Sequence, residues 1–437
     1  MTDIPKNFCM APWVHAYIMP NGGVFPCCTT PYNDTFARVE SGVTKLEDYY
    51  NTPKFKKIRQ EFMAGKRPAS CSDCWKKEDG GVKSERIKHF KKFEKHFPEV
   101  ISRTSSEGEF SEPKLKYLDI RESNLCNYKC RMCATHSSSK WMAEELILNG
   151  KVDQAYIKAS IDPVTGIMKA GVNYSNYYLS EVEEIHFAGG EPLIMQETYD
   201  MIEALKTQRP DDFNLVDINI ITNTSKLKWK SNDILELIKD FHYVGISCSI
   251  DGMGLRHDYL RNGGVNDWHR VEQNIQTLVD WKEELSVHNM RRSSNKSRVV
   301  RFHSTVTWAN LYHWWDLYEQ YHLTGKVKMI TNFSLDPIGI GVDCLPTKEL
   351  QRAIDFYKSK PESPAISDII TFLKAQVGKK PDHKIWHDLK RLKKYYTILD
   401  GLRNQDFCTA FPEWSELWEE IGDCTDVPHS LEYTPGD

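Results

Sequence analysis

The stretch CNYKCRMC, residues 126–133, places three cysteines at the spacing CxxxCxxC. A tetrahedral zinc site or a common iron–sulfur cluster is closed by four protein ligands, yet the next cysteine along the chain is Cys248. A four-iron cluster held by three thiolates leaves one iron free to bind a small molecule through an amine and a carboxylate. We therefore interpret the stretch as an open iron–sulfur site whose missing ligand is a substrate or cofactor.

The composition predicts a globular protein of the reducing cytosol. The chain has 437 residues, of which 40% are hydrophobic and 27% charged, and its formal net charge of −4 gives no sign of nucleic-acid binding. No run of about eighteen apolar residues and no signal peptide is found, so we expect no membrane association and a cytoplasmic location. Because a reducing cytosol keeps thiols free, the clustered cysteines are expected to be ligands. Four scattered ones are expected to be small buried side chains: Cys248, Cys344, Cys408 and Cys424.

Downstream of residue 114, short β-branched runs alternate with helical patterns, as in parallel strands joined by crossover helices. The predicted strands are residues 114–121, 183–188, 216–222, 243–250, 298–306 and 326–335. Helical periodicity is found in residues 137–149, 196–208, 231–240, 268–285 and 310–322. This alternation predicts an α/β fold, a partial (β/α)6 barrel in which ligands bind at the C-terminal ends of the strands.

Three domains are predicted. Residues 1–101 form a cysteine-rich domain built on a β-hairpin, because WVHAYIMPNGGVFPCC alternates apolar and polar residues around a PNGG turn. Residues 114–345 form the barrel, and residues 346–437 form a C-terminal helical extension. The polar segment 102–113 is predicted to be a linker, and residues 150–180 to be an insertion with a turn at IDPVTG.

The N-terminal domain carries a second group of cysteines. A hairpin with adjacent cysteines followed by CxxC is a usual way to build a four-thiolate metal site. From the residues alone, a four-iron cluster, a zinc site that only holds the fold, and thiols without a metal all remain open. The cysteines of this group are Cys9, Cys27, Cys28, Cys71 and Cys74.

With CxxxCxxC after the first strand of a partial barrel, the chain resembles the radical S-adenosylmethionine superfamily over residues 114–340. The resemblance implies that S-adenosylmethionine chelates the open iron of a 4Fe–4S cluster held by Cys126, Cys130 and Cys133. An electron from the cluster would cleave the sulfonium to methionine and a 5′-deoxyadenosyl radical, which removes a hydrogen atom from the substrate. An external electron donor of the flavodoxin or ferredoxin type is also implied.

The second predicted strand ends in AGGEP, which is similar to a cofactor-binding turn of that superfamily. The turn comprises Gly189, Gly190, Glu191 and Pro192. The glycines lack side chains, and we expect them to let the backbone approach the methionyl group of the cofactor. Glu191 is expected to accept a hydrogen bond from its ammonium group.

Two further motifs follow the third and fourth strands. ITNTS is similar to the superfamily's Thr-Asn-Gly turn, with Thr224 where glycine is usual, and it implies a polar contact from Asn223. SCSIDGMGLRHDYLR looks like the SxDG, HD and R series of the SPASM and twitch branch. It implies that Ser249 and Asp251 lie near the ribose or carboxylate of the cofactor and that Arg261 pairs with the carboxylate.

The N-terminal domain resembles the twitch or SPASM auxiliary-cluster domain, in which a glycine shortly before a cysteine opens a hairpin and a CxxC closes the cluster. GGVFPCC fits this pattern, with Cys27 as the preferred ligand and Cys28 as the alternate. In most of that branch the auxiliary domain follows the barrel, whereas here it precedes it, as in the twitch domain-containing radical proteins that the whole chain resembles. The resemblance favours a second, auxiliary 4Fe–4S cluster.

The leading hypothesis is a radical enzyme that acts on a peptide or protein, with the auxiliary cluster taking or relaying an electron. A small molecule such as a sugar or nucleotide is the rival substrate. A non-catalytic iron–sulfur or zinc protein for electron transfer is disfavoured, because an electron carrier gains nothing from an open iron beside GGEP. No acidic or basic residue stands out as a proton donor, so catalytic residues are unassigned; Cys344 is considered as a hydrogen donor or extra ligand.

Overall fold

In the computed structural model, residues 5–427 are described, apart from 32, 40–45, 80–82, 150–160, 163, 170–178, 265, 293–295 and 334–339. The described part of the chain contains one nine-stranded, largely parallel sheet and a separate two-stranded ribbon. The strands are β1 (His15–Ile18), β2 (Gly23–Phe25), β3 (Ala37–Arg38), β4 (Tyr117–Ile120), β5 (Glu184–Phe187), β6 (Asp217–Thr222), β7 (Lys228–Trp229), β8 (Asn232–Asp233), β9 (Tyr243–Ser249), β10 (Ser297–Val306) and β11 (Lys328–Phe333).

Helices lie between the strands along the chain and follow the last strand. In the N-terminal region they are α1 (Ala11–Val14), α2 (Pro53–Met63), α3 (Ser72–Asp79), α4 (Glu85–Phe93) and α5 (Phe97–Ser102). Between the later strands lie α6 (Met142–Asn149), α7 (Gln196–Gln208), α8 (Ile234–Ile238), α9 (Leu255–Arg261), α10 (Asp267–Arg292) and α11 (Trp314–Leu317). The C-terminal extension contains α12 (Thr347–Lys358), α13 (Pro364–Lys374), α14 (Asp382–Arg403), α15 (Phe407–Ala410) and α16 (Ser415–Glu420).

All six predicted parallel strands are present, and the α/β fold class is confirmed. The strands β4, β5, β6, β9, β10 and β11 pair in parallel in this order. Their alternating sequences explain the arrangement, since β6 buries Ile218 and Ile220 against the helices and turns the residues between them to the other face. The carboxyl ends of these strands therefore meet along one edge of the sheet.

The N-terminal hairpin is part of the same sheet. β1 and β2 pair antiparallel around the PNGG turn, where Gly22 has a φ of +78°, so the predicted hairpin is confirmed. β1 also pairs in parallel with β4, with His15 opposite Tyr117 and Tyr17 opposite Asp119. The cysteine-rich region is thus joined by backbone hydrogen bonds to the first barrel strand, a pairing that the sequence analysis did not predict.

Two hydrophobic cores lie on either side of this arrangement. The larger one packs the apolar face of the sheet against the N-terminal helices, α7 and α10. The second is formed by Trp308, Leu311 and Trp314 with the C-terminal helices, and Met132 and Cys133 pack against it. The C-terminal extension is helical, as predicted, and it covers one side of the loop that carries CNYKCRMC.

Some predicted segments differ in detail. The predicted helix 310–322 is α11 followed by a π-helix at Tyr318–His322. The segment 102–113, predicted as a linker, is packed instead of extended, because Phe110 is buried and the Gly108 carbonyl accepts a hydrogen bond of 2.8 Å from Arg59 Nε. The turn at IDPVTG is present, with Asp162 accepting from the backbone of Val164 and Thr165. Most of the predicted insertion 150–180 lies outside the described residues. Within the described residues, none of the helices has the length and apolar character needed to span a membrane.

Candidate active site at the carboxyl edge of the parallel strands

The loop after β4 brings Cys126, Cys130 and Cys133 together. Cys126 and Cys130 are buried in one cluster with Tyr128, and Cys133 packs against this cluster at its edge. The backbone N–H of Cys133 donates to the Cys130 carbonyl at 2.9 Å, which closes the turn between the two cysteines. No fourth cysteine belongs to this cluster in the part of the chain that is described. Three converging thiols suit a four-iron cluster with one iron left without a protein ligand.

Side chains from the next strands approach two of these sulfurs. Asn223 Nδ2 lies 3.9 Å from Cys126 Sγ, and Arg261 Nη1 lies 3.8 Å from Cys130 Sγ. Arg261 also forms a buried ion pair with Asp251, whose Oδ1 accepts from the backbone of Thr305 at 2.8 Å. A hydrogen bond with Cys133 lowers the pKa of the Cys130 thiol below its usual value; burial opposes this shift, and the charge of Arg261 adds to it. The motifs after β6 and β9 thus meet the cysteine loop.

The carboxylate of Glu191 joins the turn after β5 to the turn after β6. Its oxygens accept from Leu193 N at 3.0 Å, Thr222 Oγ1 at 2.8 Å and Asn223 N at 2.6 Å. Burial raises the pKa of Glu191 to about 7, although these hydrogen bonds oppose the shift. In this structure Glu191 ties two loops together, a role that the sequence analysis did not foresee. Pro192 begins the short helical turn after it.

The glycines of AGGEP pack against the cysteine loop itself. A Cβ atom on Gly190 would lie 2.1 Å from the Leu125 carbonyl oxygen, and one on Gly189 would lie 3.0 Å from the Ser123 carbonyl oxygen. The Glu191 N–H donates to Leu125 O at 2.8 Å. We expected these glycines to make room for the cofactor. The structure shows that they make room for the backbone that precedes Cys126.

The turn after β6 departs from the superfamily pattern at Thr224, and the backbone explains why glycine is usual there. Thr224 has a φ of +64°, a left-handed conformation that a β-branched residue rarely adopts. Its N–H donates to Thr222 Oγ1 at 3.0 Å, and its carbonyl accepts from Asn274 Nδ2 at 2.8 Å. These bonds hold the turn in place without glycine. Ser249 ends β9, in register with His303 of β10.

A row of polar side chains lines the face of the sheet opposite the large core. Asp119, His186 and Asn219 are register neighbours on β4, β5 and β6. Arg121 Nε donates to Asp119 Oδ1 at 3.1 Å, and Arg301 Nη2 donates to the Tyr243 hydroxyl at 2.8 Å. The sequence analysis assigned no residue to this polar face. The alternation in YLDIR, EIHF and RFH would have revealed it, because every second residue of these stretches is polar.

The pKa values of two groups on the polar face, Asp119 and His186, are shifted. Burial alone would raise the pKa of Asp119, but Arg121, His186 and His15 lower it below its usual value. Burial lowers the pKa of His186 to about 4, so this imidazole is neutral at pH 7. The face therefore presents a carboxylate, a neutral imidazole and two guanidinium groups to whatever occupies the space above it.

The five N-terminal cysteines lie close to one another. Cys9 lies within electrostatic range of Cys71 and Cys74, and Cys71 within range of Cys27. Thr29 Oγ1 bridges Cys27 Sγ at 3.5 Å and Cys74 Sγ at 3.7 Å. Cys28 is a hydrogen-bond partner of Cys27, and it also lies near Asp119 and Arg121 of the polar face.

This donor set fits a metal centre. Burial raises the pKa of Cys9 and Cys71 above the usual thiol range, so the thiolates that bind metals require a cationic partner. Cys27, with Cys28 beside it, lies near Cys71 and Cys74, so both remain candidate ligands together with Cys9.

The scattered cysteines are not gathered into either site. Cys248 and Cys344 are completely buried, and the Cys344 thiol donates to the Gly341 carbonyl at 3.0 Å within the second core. Cys408 and Cys424 are partly buried at the edge of that core. The prediction that Cys248 and Cys344 are buried is confirmed. Cys344 is not a member of the cluster that Cys126, Cys130 and Cys133 form.

The intervening residues of CNYKCRMC are anchored by α14, which the sequence analysis missed. Arg131 is buried, forms an ion pair with Asp400 and stacks on Tyr259 with its guanidinium carbon 3.7 Å from the ring centroid. Lys129 pairs with Glu144, which in turn is held by Arg403. The C-terminal extension therefore holds the loop that carries the three cysteines, because Arg131 donates to partners about 270 residues further along the chain.

Comparison with known proteins defines the class. Residues 122–288 match the Radical SAM superfamily, and the resemblance stated above is confirmed. Residues 9–75 match the SPASM family, described as an iron-sulfur cluster-binding domain. The chain thus contains a Radical SAM domain preceded by a SPASM domain. The first domain implies a 4Fe–4S cluster with S-adenosylmethionine, and the second implies auxiliary iron–sulfur ligation.

Individual relatives are distant. A GTP 3′,8-cyclase of Campylobacter lari is 26% identical over 120 residues, which is 28% of this chain and 31% of the relative. The radical SAM cyclopropyl synthase TigE of Paramaledivibacter caminithermalis is 28% identical over 237 residues, which is 54% of this chain and 43% of the relative. The chain thus spans less than half the length of these relatives.

Similarity to solved structures is weak. The structure of anSMEcpe with bound AdoMet and Cp18Cys peptide gives a TM-score of 0.34 at 18% identity, covering 56% of this chain and 59% of that one. Streptococcus suis SuiB bound to the precursor peptide SuiA gives a TM-score of 0.31 at 13% identity, covering 93% and 74%.

Proposed function

We propose that this chain is a radical enzyme that abstracts a hydrogen atom from a substrate bound over the polar face of the sheet. The carrying observation is the convergence of Cys126, Cys130 and Cys133 with Asn223 and Arg261 at the carboxyl edge of the strands. The 4Fe–4S cluster, when bound, supplies the electron that cleaves S-adenosylmethionine to methionine and a 5′-deoxyadenosyl radical. An external donor of the flavodoxin or ferredoxin type would deliver that electron.

The chain's own residues bind and orient the cofactor in this proposal. Arg261 is held in place by Asp251 and directs its guanidinium toward Cys130, where it is available to a carboxylate of the cofactor. Glu191 holds the two turns that flank the open iron, and Asn223 provides an amide beside Cys126. Ser249, at the end of β9, adds a hydroxyl at the same edge.

The proposed substrate is a peptide or protein, because the auxiliary-cluster branch that the sequence resembles often modifies such substrates. The SPASM-type domain supports this choice. Its strand β1 extends the sheet, and Tyr17 on β1 adds to the polar face over which a peptide would lie. A second candidate is a small anionic molecule such as a nucleotide. Two guanidinium groups on the polar face, those of Arg121 and Arg301, favour it, and a GTP 3′,8-cyclase is among the relatives.

We propose that the N-terminal cysteines Cys9, Cys27, Cys71 and Cys74 bind an auxiliary 4Fe–4S cluster that takes or relays an electron. Their placement supports this role, because β1 connects their domain directly to β4 beside the polar face. Cys28, which hydrogen-bonds to Cys27 and also lies near Asp119, borders the substrate space.

The test is product formation by the anaerobically reconstituted protein after reduction with dithionite. With S-adenosylmethionine present we expect 5′-deoxyadenosine and methionine, quantified by chromatography, and none from Cys130→Ala. Deuterium incorporated into 5′-deoxyadenosine from a labelled peptide or a labelled nucleotide would then decide between the two substrate classes. Absence of both products from the wild-type chain carrying a full complement of iron would refute the proposal.

A further inference from the structure

Two histidines lie against Cys27 in the N-terminal domain, and neither belongs to a cysteine motif. His15 begins β1, and His89 lies on α4. One possible ligand atom from each of His15, Cys27 and His89 lies within 4.8 Å of the other two. The Cys27 Sγ to His89 Nε2 distance is 3.7 Å, and the two imidazole centroids are 5.2 Å apart. These three side chains form the imidazole–thiol corner.

His15 is the unusual member of this corner. It is completely buried, and neither of its ring nitrogens has a hydrogen-bond partner among the described residues. Leaving a buried polar group unsatisfied costs about 1–3 kcal/mol, and native structures contain few such groups. A ligand bound to the nitrogen lone pair would remove this penalty. Packing alone gives no reason to place a histidine here, because phenylalanine would stack on Tyr117 equally well.

The spacing suits two ligands of one metal ion. Ligands bound at the usual zinc–sulfur and zinc–nitrogen distances of a tetrahedral site lie about 3.6 Å apart, close to the 3.7 Å between Cys27 Sγ and His89 Nε2. Imidazole and thiolate are both ligands of zinc and iron. Because His89 is a hydrogen-bond partner of Cys27 in the present arrangement, a metal ion would replace that contact without moving either element far.

We propose that His15 and His89 are metal ligands of the N-terminal centre, so that this centre is bound by imidazole nitrogen as well as by thiolate. This inference rests on the proposed auxiliary centre and deepens it. A zinc ion can bind Cys27 together with both imidazoles, whereas an iron of a cluster also binds sulfides and would take imidazole in place of thiolate, as in a Rieske centre. In Rieske centres, histidines that replace cysteines on one iron raise the reduction potential, so a histidine-bearing cluster is easier to reduce than an all-thiolate one.

The imidazole–thiol corner also borders the substrate space. The His15 ring stacks on Tyr117 with centroids 4.2 Å apart, and Tyr117 packs edge-on against His186 at 6.5 Å. His186 belongs to the polar face. A metal ion held by His15 would thus be separated from that face by one aromatic side chain.

The experiment uses the full chain with Cys126, Cys130 and Cys133 changed to Ala, so that only the N-terminal centre can hold metal. After anaerobic reconstitution with iron and sulfide, metal content is measured and the dithionite-reduced protein is examined by pulsed EPR. We expect hyperfine coupling to imidazole ¹⁴N. Labelling the protein with ¹⁵N-histidine must change this coupling, and this arm requires no histidine substitution. If the protein holds zinc in place of iron, the zinc is replaced by Co²⁺, and the hyperfine coupling of this single ion to imidazole ¹⁴N is measured.

Histidine variants then identify which imidazole nitrogens bind the metal. His15→Phe with His89→Phe is expected to remove the coupling and, for a cluster, to shift the reduction potential to more negative values. His186→Phe is the matched control, because it is a histidine on the same sheet that contacts Tyr117 and not Cys27. A paramagnetic centre without imidazole coupling would overturn the inference and leave the auxiliary centre standing. Failure to bind any metal would overturn both.

Discussion

At the scale of single residues, Gly190 shows how the cofactor motif and the cysteine loop depend on each other. The turn after β5 approaches the backbone before Cys126 so closely that a methyl group on Gly190 would overlap the Leu125 carbonyl. Because both partners are backbone, neither can rotate away. The motif was recognisable from its letters, whereas this contact joins positions 65 residues apart and could not be deduced from them.

We expect Gly190→Ala to destabilise the protein by about 3 kcal/mol, the upper part of the usual cost of overpacking. It should also reduce the iron retained by the cluster loop, because the loop must move. Urea unfolding and iron analysis would measure the two effects. Gly401→Ala is the control, since a Cβ there meets no atom within 4 Å and the site lies in α14, where alanine is the better helix former. Equal stability of Gly190→Ala and wild type would contradict the structure.

His313 gives a pH-dependent contribution to stability. Burial alone would lower its pKa, but hydrogen bonds to Asp316 and Glu413 raise the pKa above the usual 6.5. Because the folded-state pKa is raised, this stabilisation is fully present below pH 6.5 and is lost as the pH rises through the folded-state value. The free energy of unfolding should therefore fall over that interval.

Urea denaturation at a series of pH values from 6 upward would reveal this slope. His313→Gln should be less stable than wild type at the acid end and should lack the part of the slope that comes from this residue. If the free energy of unfolding of His313→Gln changes with pH by the same slope as that of the wild type, the His313 imidazole is not the source of the pH dependence.

At the scale of elements, α14 acts as a support for the cluster loop. Asp400 pairs with buried Arg131, accepts from the Tyr259 hydroxyl at 2.8 Å and caps the backbone of Phe407 at 2.9 Å. Arg403 reaches Lys129 through Glu144. Helical periodicity predicted a helical extension here. It could not show which face meets the loop, because the partners are far apart in sequence.

Asp400→Ala should destabilise the protein by about 3–5 kcal/mol, because it leaves the Arg131 guanidinium buried without a counter-charge. The loss of iron from the three-cysteine loop should accompany unfolding of the C-terminal helices in urea. Asp426→Ala, which removes an exposed partner of Lys390, is the control and should change little. An Asp400→Ala protein with wild-type stability would argue against the anchoring role.

The strands were the most predictable elements, and the reason is visible in β6 and β9. Apolar residues occupy every second position in these strands, Ile218 and Ile220 in β6 and Val244 and Ile246 in β9. They mark one buried face of the strand, whichever strands lie beside it. The segment 102–113 was mistaken for a linker because its Ser and Glu residues are exposed. Its packing depends on Gly108 and Phe110 meeting Arg59 and Asn51 from a distant helix and turn.

At the scale of the whole molecule, the N-terminal domain and the barrel form one sheet. The pairing of β1 with β4 is non-local and has no sequence signature, since both strands read as ordinary short apolar runs. The position of the cysteine-rich hairpin next to the polar face follows from this pairing. The sequence shows where the two groups of cysteines lie along the chain, and the pairing of β1 with β4 brings their domains into one sheet.

Removal of residues 346–437 should make the protein insoluble or unable to hold iron in the three-cysteine loop. It would expose Trp308, Leu311 and Trp314 of the second core and remove the partner of Arg131. Soluble yield, binding of a hydrophobic dye and iron content would be compared with the full chain. A soluble truncated chain that retains wild-type iron would show that the extension is dispensable.

The central claim is that the three-cysteine loop holds an iron–sulfur cluster with an open iron. Titration of S-adenosylmethionine into the reduced, reconstituted protein, followed by EPR of the cluster, tests it most directly. We expect the cluster signal to change and to saturate at about one cofactor per chain, as one open iron requires, with no change in a Cys126→Ala, Cys130→Ala, Cys133→Ala chain. A fully loaded wild-type cluster whose spectrum is indifferent to S-adenosylmethionine would contradict the account.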